Sequence, residues 1–229
     1  MGNAMRGVVA FIPSERCQRF LVGDLKEMPL DRTLDLSSRQ LRRLPVAACV
    51  FDELVKLYLS DNNLNSLPAE LQRLKKLQLL ALDFNCFEEL PAAVVCELPN
   101  LKTLHLGYNQ IESLPTELRG LEELRSIWLA GNQLAAFPPV LLEMHLLAVI
   151  DVDRNQIRVF PKLSHMQGLK LVIYDHNPCV NAPVVGEGAR RVGRWADSAD
   201  DTPEDDGSKA ASETAADVAE VHPEEEHNI

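Results

Sequence analysis

Aliphatic residues recur along this chain in a fixed spacing pattern, seen at Leu54, Leu57, Leu59, Leu64 and Leu67. The pattern returns at Leu77, Leu80, Leu82, Phe87 and Leu90, then at Leu101, Leu104, Leu106, Ile111 and Leu114. It continues through Leu124, Ile127, Leu129, Leu134 and Phe137, and through Leu147, Ile150, Val152, Ile157 and Phe160. The two-residue step inside each cluster predicts a short strand with two side chains inward and the residue between them outward. Five residues after the first strand aliphatic stands an asparagine: Asn62, Asn85, Asn109, Asn132, Asn155 and Asn177, at intervals of 23, 24, 23, 23 and 22. Asparagine offers both a donor and an acceptor, so each can satisfy turn backbone and link one unit to the next. Proline follows at 45, 68, 91, 115, 138 and 161. Lacking an N–H and with φ fixed, it suits the start of a helical turn and not a ladder strand.

A period of 20 to 29 residues with an L-x-x-L-x-L-x-x-N-x-L frame is the signature of the leucine-rich repeat. The predicted fold is α/β: a horseshoe solenoid of about seven repeats with a parallel concave sheet and short helical turns on the outer wall. The first unit has Arg39 in the asparagine slot, and the seventh has Cys179 in the last aliphatic slot. Terminal repeats are commonly atypical in this way. The one 24-residue interval implies an outward bulge near Val94 and Val95 that leaves the strand register intact. Residues 1–30 read as an N-terminal cap, 31–180 as the repeats and 181–196 as a C-terminal cap, because open stack ends expose apolar side chains and strand edges. The basic group Arg190, Arg191 and Arg194 ahead of Trp195 reads as a surface-charged capping helix, with a nuclear-import signal as the alternative.

Charge is divided sharply. The net charge is −11, and from Asp197 onward twelve acidic residues face one base, Lys209, so residues 1–196 are balanced at 22 acids and 22 bases. The segment 197–229 has too little apolar surface to offset chain entropy and is expected to be a disordered acidic tail. A neutral body with an acidic tail argues against a nucleic-acid partner. No run is apolar for long enough to span a bilayer, and Met1-Gly2 lacks the Ser or Thr at position six that myristoylation prefers. Five cysteines without a paired cluster, no N-x-S/T sequon and no signal peptide place the expected compartment inside the cell.

Candidate chemistry lies on the outward strand positions. Aromatics collect there in the middle repeats, at Tyr58, Phe84, Tyr108 and Trp128, with Asp61 and His105 beside them. Tyrosine and tryptophan are the usual anchors of protein interfaces. The alternative is that these rings only pack on one another across adjacent strands. Asp151, Asp153, Asp175 and His176 gather toward the C-terminal repeats, as an acidic recognition spot, a solvated face or a metal site. Arg154 can neutralise that group, so no metal or other cofactor is expected. A Cys86–His105 nucleophile is conceivable, but cysteine here mostly fills apolar slots, and no catalytic residues are assigned.

Several stretches go beyond the frame. Phe11-Ile12-Pro13, Leu57-Tyr58-Leu59-Ser60-Asp61-Asn62, Leu80-Ala81-Leu82-Asp83-Phe84-Asn85, Leu171-Val172-Ile173-Tyr174-Asp175-His176-Asn177-Pro178-Cys179 and Arg190-Arg191-Val192-Gly193-Arg194-Trp195 resemble the leucine-rich repeat-containing protein ten group. The likeness covers nearly all of residues 1–196 and includes outward positions that the fold does not dictate. It implies an intracellular, non-enzymatic, heart- and muscle-enriched protein, cytoplasmic at the sarcomere with a nuclear pool. It also implies actin and alpha-actinin as partners and a role in cardiac development or function. The chain carries about two repeats fewer than the longer members, and its acidic tail is unlike theirs. The expected function is therefore a monomeric protein-interaction scaffold working through its concave face. A regulatory subunit of a membrane channel or signalling enzyme is the alternative.

Overall fold

The computed structural model describes residues 32–196. The proposed N-terminal cap, residues 1–30, and the acidic tail, residues 197–229, lie outside the described residues. Within residues 32–196, eight three-residue strands form one parallel sheet in sequence order. They are β1 (Thr33–Asp35), β2 (Lys56–Tyr58), β3 (Leu79–Ala81), β4 (Thr103–His105), β5 (Ser126–Trp128), β6 (Val149–Asp151), β7 (Leu171–Ile173) and β8 (Arg190–Val192). The middle residue of each of the first seven strands is buried: Leu34, Leu57, Leu80, Leu104, Ile127, Ile150 and Val172 pack into one continuous aliphatic core. Each sits opposite its counterpart in the next strand, as in Leu57↔Leu80 and Leu80↔Leu104.

The asparagines perform the bridging that their chemistry allows. Asn109 Oδ1 accepts from Phe87 N of the preceding repeat at 3.1 Å, while Nδ2 donates to Leu82 O and Leu106 O, both at 3.0 Å. Asn62, Asn85, Asn132, Asn155 and Asn177 repeat this arrangement one coil at a time. Arg39 in the first coil contributes only its backbone N–H, donated to Asn62 Oδ1.

The outer wall is built from single turns after the prolines. Four are 3-10 turns, at Val46–Val50, Ala69–Arg73, Thr116–Gly120 and Pro139–Glu143. The 24-residue coil instead forms the α-helical turn α1 (Ala92–Val95). The added residue is taken up on this wall, and the β3–β4 register is undisturbed. After Pro161 no helical turn forms; Lys162 makes a parallel bridge to Val184.

The C-terminal segment differs from expectation. Arg190–Val192 is not a capping helix but the eighth strand, paired in register with Leu171–Ile173. Its carbonyl groups complete the ladder, since Tyr174 N donates to Val192 O at 2.9 Å. The fully buried Tyr174 donates its hydroxyl to the Arg194 carbonyl, fastening the segment to the core.

Candidate functional site

The residue before each ladder asparagine, and before Arg39 in the first coil, adopts a left-handed backbone. It is Ser38, Asp61, Phe84, Tyr108, Gly131, Arg154 and His176 in turn, with φ between 50° and 67°. For a residue with a Cβ this conformation costs about 1–2 kcal/mol. The fold enforces it through bonds between coils: Phe84 N donates to Gly107 O at 2.9 Å, and Asp61 N to Asp83 O at 2.9 Å. Glycine would satisfy such a position most cheaply, and only Gly131 does so. Phe and Tyr are poor choices for the backbone, so their presence there calls for another reason.

Phe84 and Tyr108 stack face to face, with ring centroids 4.4 Å apart and planes 5° from parallel. They remain 53% and 44% exposed, the two aromatic rings of this face most open to solvent. The Tyr108 ring extends over Gly131, where a Cβ would come within 2.6 Å of it. A second pair lies on the strands: His105 and Trp128, adjacent in register on β4 and β5, stack at 5.5 Å. The expected alternative is therefore present as geometry, since the rings do pack across neighbouring coils. Packing leaves an outer face on the Phe84–Tyr108 pair uncovered. Tyr58 stands apart from both pairs, half-buried on β2 between Asp35 and Ala81.

Carboxylates surround the rings. Asp83 accepts from Gly107 N at 2.8 Å and lies 3.4 Å from His105 Nδ1. Its tie to His105 makes it part of the site, and the pairing was not visible from spacing alone. Asp61 accepts from the Ser38 hydroxyl at 2.8 Å, several coils from the other acidic candidates. Those others do converge. His176 Nδ1 lies 2.9 Å from Asp153 Oδ1 and 3.7 Å from Asp175 Oδ2, while Arg154 Nε is 3.3 Å from Asp153 Oδ2. Among the described residues, no group of three or more His, Cys, Asp or Glu side chains is arranged to hold a metal ion.

Asp151 is unlike the rest. It is only 7% exposed, beside Trp128 on one neighbouring strand and Ile173 on the other. Burial raises its pKa above the ordinary aspartate value, with Asp153 and Asp83 adding repulsion and the bond from Asp153 N opposing the shift. Cysteine behaves as a small apolar residue: burial pushes the thiols of Cys49 and Cys96 up to about 11. No helix among the described residues is long and apolar enough to cross a membrane.

Comparison with known proteins agrees with this architecture. Leucine rich repeat family profiles match residues 53–74 and 77–134. In solved structures the chain resembles an internalin from Listeria monocytogenes, at TM-score 0.55 and 20% identity, over 64% of this chain and 41% of that one. It also resembles a plant ice-binding protein, at TM-score 0.55 and 22% identity, over 71% and 56% respectively. These distant likenesses speak to the fold alone. Much nearer are leucine-rich repeat-containing protein 10 of Mus musculus, 54% identical over 92% of both chains, and of Bos taurus and Homo sapiens, each 52% identical over 92% of this chain and 91% of theirs. The alignments run to 255 positions, whereas 92% of 229 residues is about 211, leaving about 44 positions, near two repeat lengths, without a counterpart here. With half of its residues shared along almost the whole length, the chain belongs to the leucine-rich repeat-containing protein 10 family.

Proposed function

We propose that this protein is a non-enzymatic scaffold that grips a protein partner on the concave face of its repeats, in the cytoplasm of heart and muscle cells. Repeat folds of this family serve as protein-interaction modules, and their stacked strands supply a long surface for that purpose. Eight strands at ~4.8 Å spacing make a face of roughly 35 Å, long enough for a standard interface. The observation that carries the reading is the Phe84–Tyr108 stack. Two exposed rings occupy left-handed backbone positions that would be cheaper as glycine. A partner that covers them supplies the compensating gain. Actin and alpha-actinin, a sarcomeric location with a nuclear pool and a role in heart development are the specific forms this reading takes.

The test is capture from heart-muscle lysate by wild type and by a Phe84→Ala, Tyr108→Ala, Trp128→Ala variant. Loss of specific partners, with wild-type stability of the variant, supports the proposal; equal capture refutes it. Fractionation separates the alternative, because recovery with membranes instead of myofibrils favours a channel-associated subunit.

A further inference from the structure

Asp83 joins the two aromatic pairs of the concave face. Its Oδ1 accepts from Gly107 N at 2.8 Å, and Gly107 directly precedes Tyr108. A Cβ at 107 would sit 3.0 Å from that same oxygen, so the carboxylate fits closely against the glycine. Its Oδ2 lies 3.4 Å from His105 Nδ1 and accepts from the Ser60 hydroxyl, also at 3.4 Å. The His105 ring in turn stacks on Trp128, with centroids 5.5 Å apart. Asp83 belongs to the coil before His105 and Trp128 to the coil after it. The imidazole is therefore held between a carboxylate and an indole ring, with its side chain 32% exposed.

Imidazole is the side chain that ordinarily changes charge between about pH 5 and about pH 8. Once protonated here, it meets a counter-ion on one side and a ring that accommodates cations on the other. The other titratable groups of this part of the face are Tyr108 on the same coil, Tyr58 beyond Ala81 on β2, and Asp151 beyond Trp128 on β6. Asp153, further along, is paired with Arg154 and His176. Among the described residues no Lys or Arg forms an ion pair with Asp83, so His105 is the base placed to balance it.

A partner laid over this face removes water from both groups. With His105 neutral, the covered pair keeps one uncompensated negative charge, which is costly away from water. With His105 protonated, the pair is neutral overall, and its attraction strengthens as water leaves. Covering the face thus favours the protonated form, and by linkage protonation favours covering. We infer that binding on the concave face takes up a proton at His105, with Asp83 as its counter-charge, so the site grips its partner more tightly as pH falls through the histidine range. This rests on the concave face being the binding surface, and adds that acid regulates its occupancy.

The test uses the full chain with a photo-crosslinking phenylalanine analogue at position 84, irradiated in heart-muscle lysate buffered at about pH 7.5 and at about pH 6. The same analogue is placed in His105→Gln and in Asp83→Asn. Glutamine takes up no proton, while asparagine keeps an oxygen that accepts from Gly107 N and loses only the charge. Thermal unfolding checks that both variants are folded. All three proteins meet the same partner, so titration of the partner itself affects them alike. The expected result is an acid-induced rise in adduct yield about fivefold larger with His105 and Asp83 in place than in His105→Gln. In Asp83→Asn the rise should be smaller than in His105→Gln, because protonated His105 is then covered without its counter-charge. Equal pH dependence with and without His105, or an Asp83→Asn variant that rises as the native pair does, overturns the inference. If adducts form at position 84 with a yield that ignores pH in all three proteins, the scaffold reading stands and the proton coupling falls. If position 84 gives no adduct at either pH, the scaffold reading fails and takes the inference with it.

Discussion

The Tyr108 ring lies over Gly131 so closely that a single Cβ at 131 would sit 2.6 Å from its Cδ1 atom. The glycine's φ of +67° adds a backbone penalty to the steric one. Gly131→Ala is therefore expected to cost about 2 kcal/mol, from strain and overpacking together, and to tilt the Phe84–Tyr108 stack. Gly120→Ala is the control, because a Cβ there meets nothing within 4 Å and its backbone is ordinary. Denaturant midpoints of the two variants should separate clearly.

The asparagine ladder predicts a gradient along the stack. Asn109 is buried, and replacing it by alanine strands Phe87 N and two carbonyl groups away from water. Unpaired buried groups cost about 1–3 kcal/mol each, so Asn109→Ala should lose at least about 3 kcal/mol. Asn177 is half-buried near the end of the array, where water can substitute. Asn177→Ala should lose distinctly less, measured by thermal or urea unfolding.

Much of this architecture was legible beforehand, and the exceptions have definite causes. Seven strands follow from the leucine and asparagine frame, because burial admits only aliphatic side chains at those slots. The eighth strand was hidden: Arg190-Arg191-Val192 lacks the alternation, and nineteen residues, not about twenty-three, separate it from β7. The left-handed position was hidden too. Its occupants share no chemistry, since the backbone there is imposed by neighbouring coils, and Gly131 was the lone hint. Asp151 and Asp35 hold the same slot in the frame, yet one is buried and the other exposed. Asp151 lies between Trp128 and Ile173 on two neighbouring strands, whereas among the described residues Asp35 has a strand neighbour, Tyr58, on one side, a difference set across the sheet and not along the chain.

Asp151 should make stability depend on pH in an unusual direction. Its folded-state pKa is raised, so the folded protein holds that proton more tightly than the unfolded chain does. Below the unfolded value the residue is neutral in both states and costs nothing; above the folded value the whole penalty is present. Asp151→Asn should therefore be more stable than wild type near pH 7, and the advantage should vanish as pH falls below the ordinary aspartate range. Paired unfolding curves across pH 3 to 7 measure it, roughly centred on that range.

Cys49 and Cys96, with thiols near 11, should resist alkylation in the folded protein at pH 8. Mass spectrometry after brief iodoacetamide treatment should find both unmodified until denaturant is added, as expected of cysteines serving as core residues.

The central claim is that partners bind the aromatic concave face. A photo-crosslinking phenylalanine analogue can replace Phe84 with little change of shape. The same analogue at the exposed Val50, on the outer-wall turn, reports the opposite side. In cardiac muscle cells the account predicts discrete protein adducts from position 84 and none of the same adducts from position 50. Adducts from position 50 alone, or the same adducts from both, would contradict it.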